Sequence, residues 1–344
     1  MSTILLHLFW ITLLAPALSW HLSGFAPLHA PVGQVAVWRN RAYICVPRYD
    51  LGTVTATLLE ASWPETMNSS HKATQQAGGF SSHMSPRPYP RSDPTMQREG
   101  HCPSLQNVTA LDVDSMRGRL WVLDAGTKIC SPKVIVFDLR RNEEVLRVWL
   151  TNVASHALTS IVADPFVGAW GPRAYVGGSR SGALLVIGQS GWWQIGLDVK
   201  SLEKERMHAV GAVTLALSRR ESLLYLAEPD SDRMFSLDLS AIRSSPQPSS
   251  NKAKRQPVTF LGRKLGPSRG LVQDLSAGLH YFLPRDHAVV RWDTRRPLSA
   301  ESHTVLLQSP KTLPQVSHMF LDPQWQVWAV VGQRCVRIQK YSFV

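Results

Sequence analysis

"GRLWVLDAGTKICSPKVIVFDL", residues 118–139, is the stretch on which the fold turns. Two apolar runs flank an interval of Gly, Thr, Ser and Pro, the form of two short strands around a hairpin. The phrase that contains it, "ALDVDSMRGRLWVLDAG…KVIVFDL", recurs along the chain. Its echoes are "TLALSRRESLLYLAEPDSDRMFSLDL", "LVQDLSAGLHYFLPRDHAVVRWDT" and "HMFLDPQWQVWAVVG…CVRIQKY". In each, one strand ends in a polar turn, a second carries an aromatic (Trp121, Tyr225, Tyr281, Trp328), and a third returns after a Gly/Asp/Ser-rich loop. Repeats spaced by roughly 40 to 55 residues, each a small antiparallel sheet that cannot bury both faces alone, are the sequence form of propeller blades. Dividing about 325 mature residues by that spacing gives roughly six units. Helical patterns are almost missing, so the 344 residues read as one all-β domain. The expectation is a six-bladed β-propeller, a closed ring of four-stranded antiparallel blades.

The compartment decides how cysteines and charge are read. The apolar run from Ile4 to Leu18 carries no charged residue and ends in Ala17-Leu18-Ser19, although no basic residue precedes it. It falls short of the ~20 residues that cross a bilayer and has the length of a secretory leader core. Residues 1–19 are therefore expected to be a signal peptide and residues 20–344 the mature single domain, secreted to the extracellular space. Asn68-Ser69-Ser70 and Asn107-Val108-Thr109 are acceptor sequons, so Asn68 and Asn107 are the expected glycosylation sites. Cys45, Cys102, Cys130 and Cys335 form an even set without metal-ligand spacing. No metal or cofactor is expected, and two disulfides are, with three connectivities open.

Several motifs in one order resemble the yellow and major royal jelly protein family. "CPSLQNVTALDVDSMRGRLWVLDAGTKICSPKVIVFDL" is similar to that family's core motif, an R-L-W-V-L-D-x-G strand followed by C-P-P-K and V-F-D-L. "NRAYICVPRYDLGTVTATL" is similar to its first-blade motif with a Pro-Arg pair. "LTSIVADP…AYVGGSRSGALLVIG" resembles its third-blade pattern, and "LGRKLGPSRGLVQDLSAGLHYFLPRDHAVVRWDTR" its fifth. The resemblance runs from about Gly33 to Gln339 and implies an insect-type secreted six-bladed propeller.

Departures from the family pattern carry expectations of their own. Arg117 and Arg291 stand where the family places cysteines, and Cys45 and Cys335 lie outside its usual set. A ring must fasten its first strands to its last blade to avoid free sheet edges. Cys45 is accordingly paired with Cys335 as a covalent closure, on the order of 5 kcal/mol in the chain-entropy model, and Cys102 with Cys130 inside the second blade. Gly332 aligns where amine-holding relatives carry an Asn at the channel mouth, so amine binding is not carried over from the resemblance.

No nucleophile elbow, zinc-protease helix or phosphate loop occurs. Some family members are associated with dopachrome conversion, a proton shift needing an acid or base near the ring and a cation near the carboxylate. The candidates are Arg48, Asp124 and Asp164 as catalytic residues, with Asp274 and His287 behind them. Against each stands the turn-making role usual for strand-end aspartates. Twelve tryptophans are assigned mainly to packing between blades. Of the adjacent pair Trp192-Trp193, alternation turns one outward.

The formal charge of +12 is spread along the chain, and secretion excludes nucleic acid as partner. Such a surface favours acidic extracellular matrix components, and no membrane partner is expected. Residues 62–100 and 243–257 are Ser/Pro-rich and read as irregular loops. Three functions rank in order: a non-enzymatic factor of an extracellular coat (cuticle or eggshell) in pigmentation, hardening or crosslinking; a dopachrome-converting enzyme of melanin formation; a binder of catecholamine- or indoleamine-type small molecules such as dopamine or serotonin.

Overall fold

A computed structural model describes residues 19–22, 31–48, 54–64, 85–154, 158–168, 170–178, 183–199, 210, 214–228, 230–245 and 254–338. The expected leader lies outside these residues apart from Ser19, and so does Asn68.

The quoted stretch forms its hairpin. β1 (Ser19–His21) stands first in the chain; β2 (Val35–Trp38), β3 (Arg41–Cys45), β4 (Leu58–Ser62) and β5 (Arg87–Pro88) then pair in chain order as one antiparallel sheet. A second sheet holds β6 (Val108–Asp114), β7 (Arg119–Asp124), β8 (Lys133–Asp138) and β9 (Glu143–Trp149). β7 and β8 are the two apolar runs, in register Arg119↔Asp138, Trp121↔Val136 and Asp124↔Lys133. Both are buried on both faces because sheets cover them on either side, and the outer β9 is exposed over its first residues. Between them Gly126 has φ +71, and a Cβ there would stand 2.2 Å from the Cys130 carbonyl oxygen, so the turn admits only glycine.

The pattern continues through β10 (Leu158–Gly168), β11 (Gly171–Gly178), β12 (Ala183–Gly188) and β13 (Gly191–Val199), then β14 (Thr214–Leu217), β15 (Leu223–Ala227), β16 (Arg233–Asp238), the short α1 (Ser240–Ser244) and β17 (Lys254–Arg263). Parallel pairing of the outer strands β13 and β17 joins these two four-stranded meanders into one eight-stranded sheet. β18 (Arg269–Gln273), β19 (Gly278–Leu283), β20 (Ala288–Asp293) and β21 (His303–Gln308) make the next sheet. β22 (His318–Leu321), β23 (Val327–Val331) and β24 (Arg334–Ile338) make the last, and its fourth strand is β1, with Trp20 opposite Cys335.

The fold is all-β and propeller-like. The first strands β2, β6, β10, β14, β18 and β22 touch one another in a closed cycle. Apolar clusters fill the spaces between successive meanders, and one further cluster joins the first sheet to the last. Both loop expectations are corrected in part. The 62–100 segment supplies β5 and a 3-10 turn at Pro94–Gln97, while β17 begins at Lys254 inside the expected 243–257 loop. β5 is an edge strand, whose outward face needs no apolar pattern, and the polar start of β17 is held by its pairing with β13. Trp193 is buried and Trp192 half-buried against the neighbouring cluster, so neither indole is left outside.

Candidate functional site

The ring of first strands encloses a cavity of about 370 Å³ lined by all six of them. These strands are sheet edges, so their inward N–H groups need partners other than a further strand. Side chains from neighbouring strands provide them: Gln34 Oε1 accepts from Leu111 N (3.1 Å), Asp112 Oδ2 from Ala163 N (2.7 Å) and Gln273 Oε1 from Arg219 N (2.8 Å). The polar lining thus stitches the ring before it does anything else.

Of the titratable groups that line this space, burial shifts two, Asp112 and His318. Burial raises the Asp112 carboxyl to about 6, against the bonds from Ala163 and Val113 and the charge of Arg219, which favour its ionised form. Burial pushes the His318 imidazole down to about 4, so it is neutral at physiological pH, and its ring stacks on Phe320 with centroids 6.4 Å apart. At one mouth the Arg219 guanidinium lies 5.3 Å from the Trp325 ring and the Arg39 guanidinium 4.5 Å from Trp38. Asp112, Arg219 and His318 carry chemistry that the sequence reading missed. The available signal was Asp112 itself, a carboxylate between Leu111 and Val113 in an inner strand.

None of the sequence-chosen catalytic residues lines the cavity. Arg48 is buried, and its five N–H donors go to the carbonyl oxygens of Val54, Leu105, Gln106, Thr55 and Gln97. Asp124 is fully buried; it accepts from the backbone N–H groups of Gln106, Asn107 and Gly126 and pairs with buried Lys133 at 2.6 Å. Asp164 takes both arms of Arg243 (2.8 and 2.9 Å) and the Tyr175 hydroxyl (2.8 Å), tying β10 to α1. Asp274 is held well below the usual carboxylate range: bonds from His280, Arg291 and Gly278 outweigh its burial. His287 sits in the β19–β20 turn with Nδ1 3.1 Å from the Leu313 carbonyl oxygen. Each of these groups is engaged in hydrogen bonds or ion pairs of the fold, and Asp124, Asp164 and Asp274 also accept from backbone N–H groups two residues on. Among the described residues no cluster of three or more His, Cys, Asp or Glu could hold a metal ion.

Cys102 and Cys130 are bonded. The expected Cys45–Cys335 bond is overturned: both are free buried thiols. The reason is strand alternation. Ile44 faces the last sheet and Cys335, whereas Cys45 faces the second sheet, where its sulfur accepts the Gln34 N–H. β1 on β24 fastens the ring instead. Native protein should therefore leave both thiols unlabelled by iodoacetamide. Unfolding without reductant should expose two, read by mass spectrometry; none would mean a second disulfide. Breaking the 28-residue Cys102–Cys130 loop should cost about 3.5 kcal/mol in the entropic model.

Asn107 is half-buried, with its Oδ1 accepting the Arg48 N–H at 2.8 Å. Gly332 lies in the β23–β24 turn at φ +60 and does not line the cavity, so the missing Asn there says nothing about what this cavity binds. Arg117 and Arg291, at the family's cysteine positions, pair with Asp114 and Asp274 of their own sheets.

The family model described as major royal jelly protein matches residues 106–190 and 198–342. No curated protein matches the chain in sequence. Among solved structures, selenomethionine-substituted virginiamycin B lyase from Staphylococcus aureus is 11% identical with a TM-score of 0.51, over 93% of this chain and 98% of that one. That likeness shows the fold alone. A nidogen/laminin complex is 13% identical (TM-score 0.47, 81% and 80% covered). PorZ of Porphyromonas gingivalis is 12% identical (TM-score 0.49), over 94% of this chain and 33% of that one.

Proposed function

Because the chain belongs to the major royal jelly protein family, we propose that it is a secreted, closed six-bladed propeller acting without turnover in an extracellular coat, in pigmentation, hardening or crosslinking. The observation that carries the reading is the commitment of Arg48, Asp124 and Asp164 to buried structural bonds, which leaves those three groups no chemistry for a substrate. The Cys102–Cys130 disulfide agrees with an oxidising compartment. In the organism that makes this chain, its loss should pale or soften the coat while dopachrome consumption by the extracellular fluid stays unchanged. An unaltered coat with that consumption gone would overturn the reading.

One observation favours a second reading. Asp112, with its carboxyl near 6, faces a cavity whose mouth holds Arg219. An acid-base group near pH 6 with a cation within reach is what dopachrome conversion requires. The same carboxylate near the Trp38 and Trp325 indoles would suit a catecholamine or indoleamine.

A further inference from the structure

The C-terminal ends of the six inner strands bring their hairpin turns to one face, around the cavity mouth. Bonds tie neighbouring turns together: Trp38 Nε1 donates to the Ser115 carbonyl (3.3 Å), Arg117 Nη2 to that of Pro165 (2.9 Å), and Arg220 Nε to that of Leu275 (3.2 Å). Arg243 bridges Asp164 and Ser222. The face is therefore one continuous surface rather than separate loop tips.

Large apolar side chains stand out from it. Met116 is 78% exposed, Phe166 52%, Trp170 48% and Trp325 41%. Trp325 has φ 63, a strained conformation for a bulky residue, so the fold holds this indole outward against a local cost. Phe166 and Trp170 belong to the third meander and Trp325 to the sixth, across the cavity mouth from them, and exposed aromatics of this kind mark interaction surfaces.

Arg117 and Arg243 on this face are paired with Asp114 and Asp164, but four other cations there are unneutralised. Arg39, Arg140, Arg219 and Arg220 have no carboxylate partner among the described residues, whereas exposed Arg255 and Arg263 elsewhere pair with Asp198 and Asp232. Trp, Phe, Met and Arg are the types enriched in protein–protein interfaces, and unpaired guanidinium groups select carboxylates.

We propose that this hairpin face docks an acidic protein segment, with the partner's carboxylates on Arg39 and Arg220 and its apolar side chains on Phe166, Trp170 and Trp325. The inference rests on the coat reading for its setting and names the contact that reading would use.

The test measures binding of the folded secreted protein to an immobilised random copolymer of glutamate and tyrosine. Wild type is compared with Arg39→Glu/Arg220→Glu, Phe166→Ser/Trp170→Ser, and Arg285→Glu in the β19–β20 turn at the opposite end of its sheet. Saturable binding, weakened about tenfold or more by either face variant and little changed by Arg285→Glu, is the expected result. Circular dichroism checks each fold, and the arginine pair decides if the Phe166/Trp170 variant unfolds. No binding by wild type, equal loss from Arg285→Glu, or binding to phosphatidylserine vesicles but not to the copolymer would overturn the proposal. Because the readout is binding, a failure here leaves the coat and turnover tests standing.

Discussion

Arg48→Ala should destabilise the protein by about 5 kcal/mol or more, and secretion of the variant should fall sharply. The substitution strands five carbonyl oxygens, those of Val54, Gln97, Leu105 and Gln106 in buried bonds and that of Thr55 in a half-buried one. It also removes one bridge among three stretches of chain, residues 54–55, 97 and 105–106. Arg48→Lys should rescue little, because one ammonium cannot aim donors at five oxygens set around a planar fork. Urea unfolding of both variants is the check. A ligand-binding arginine would behave differently, leaving the midpoint unmoved when replaced.

Trp63→Ala should cost about 3–5 kcal/mol and open the ring at its seam. Trp63 follows β4 of the first sheet and inserts among Trp20, Phe320 and Trp328 of the last, with ring centroids 5.1, 5.8 and 4.9 Å away. No covalent bond crosses this seam, so its packing and the β1–β24 pairing must carry the closure. Urea unfolding gives the size of the loss, and limited proteolysis should show new cutting near β1. A loss under about 1 kcal/mol would place the closure elsewhere.

The opening hairpin was legible because β7 and β8 carry their own apolar runs and turn residues, which are local properties. Cys102–Cys130 was legible for a similar reason, since both ends belong to one sheet and its approach loop. The Cys45–Cys335 error shows the limit. Both cysteines lie close to the ring seam in sequence logic, yet one step of strand alternation turns Cys45 into the neighbouring interface. The bonds of Arg48 were not legible because its partners lie up to 58 residues away, and a charged side chain beside a turn looks the same whether it meets solvent or five carbonyls. Asp112 escaped notice because its elevated carboxyl depends on a cavity built from six separate strands.

Dopachrome turnover by the folded, disulfide-intact protein tests the functional account most directly, run beside a heat-inactivated control and Asp112→Asn. The account predicts the same flat trace from all three. Turnover by the wild type that Asp112→Asn abolishes with its fold intact would contradict it, and would make the cavity an active site of melanin chemistry.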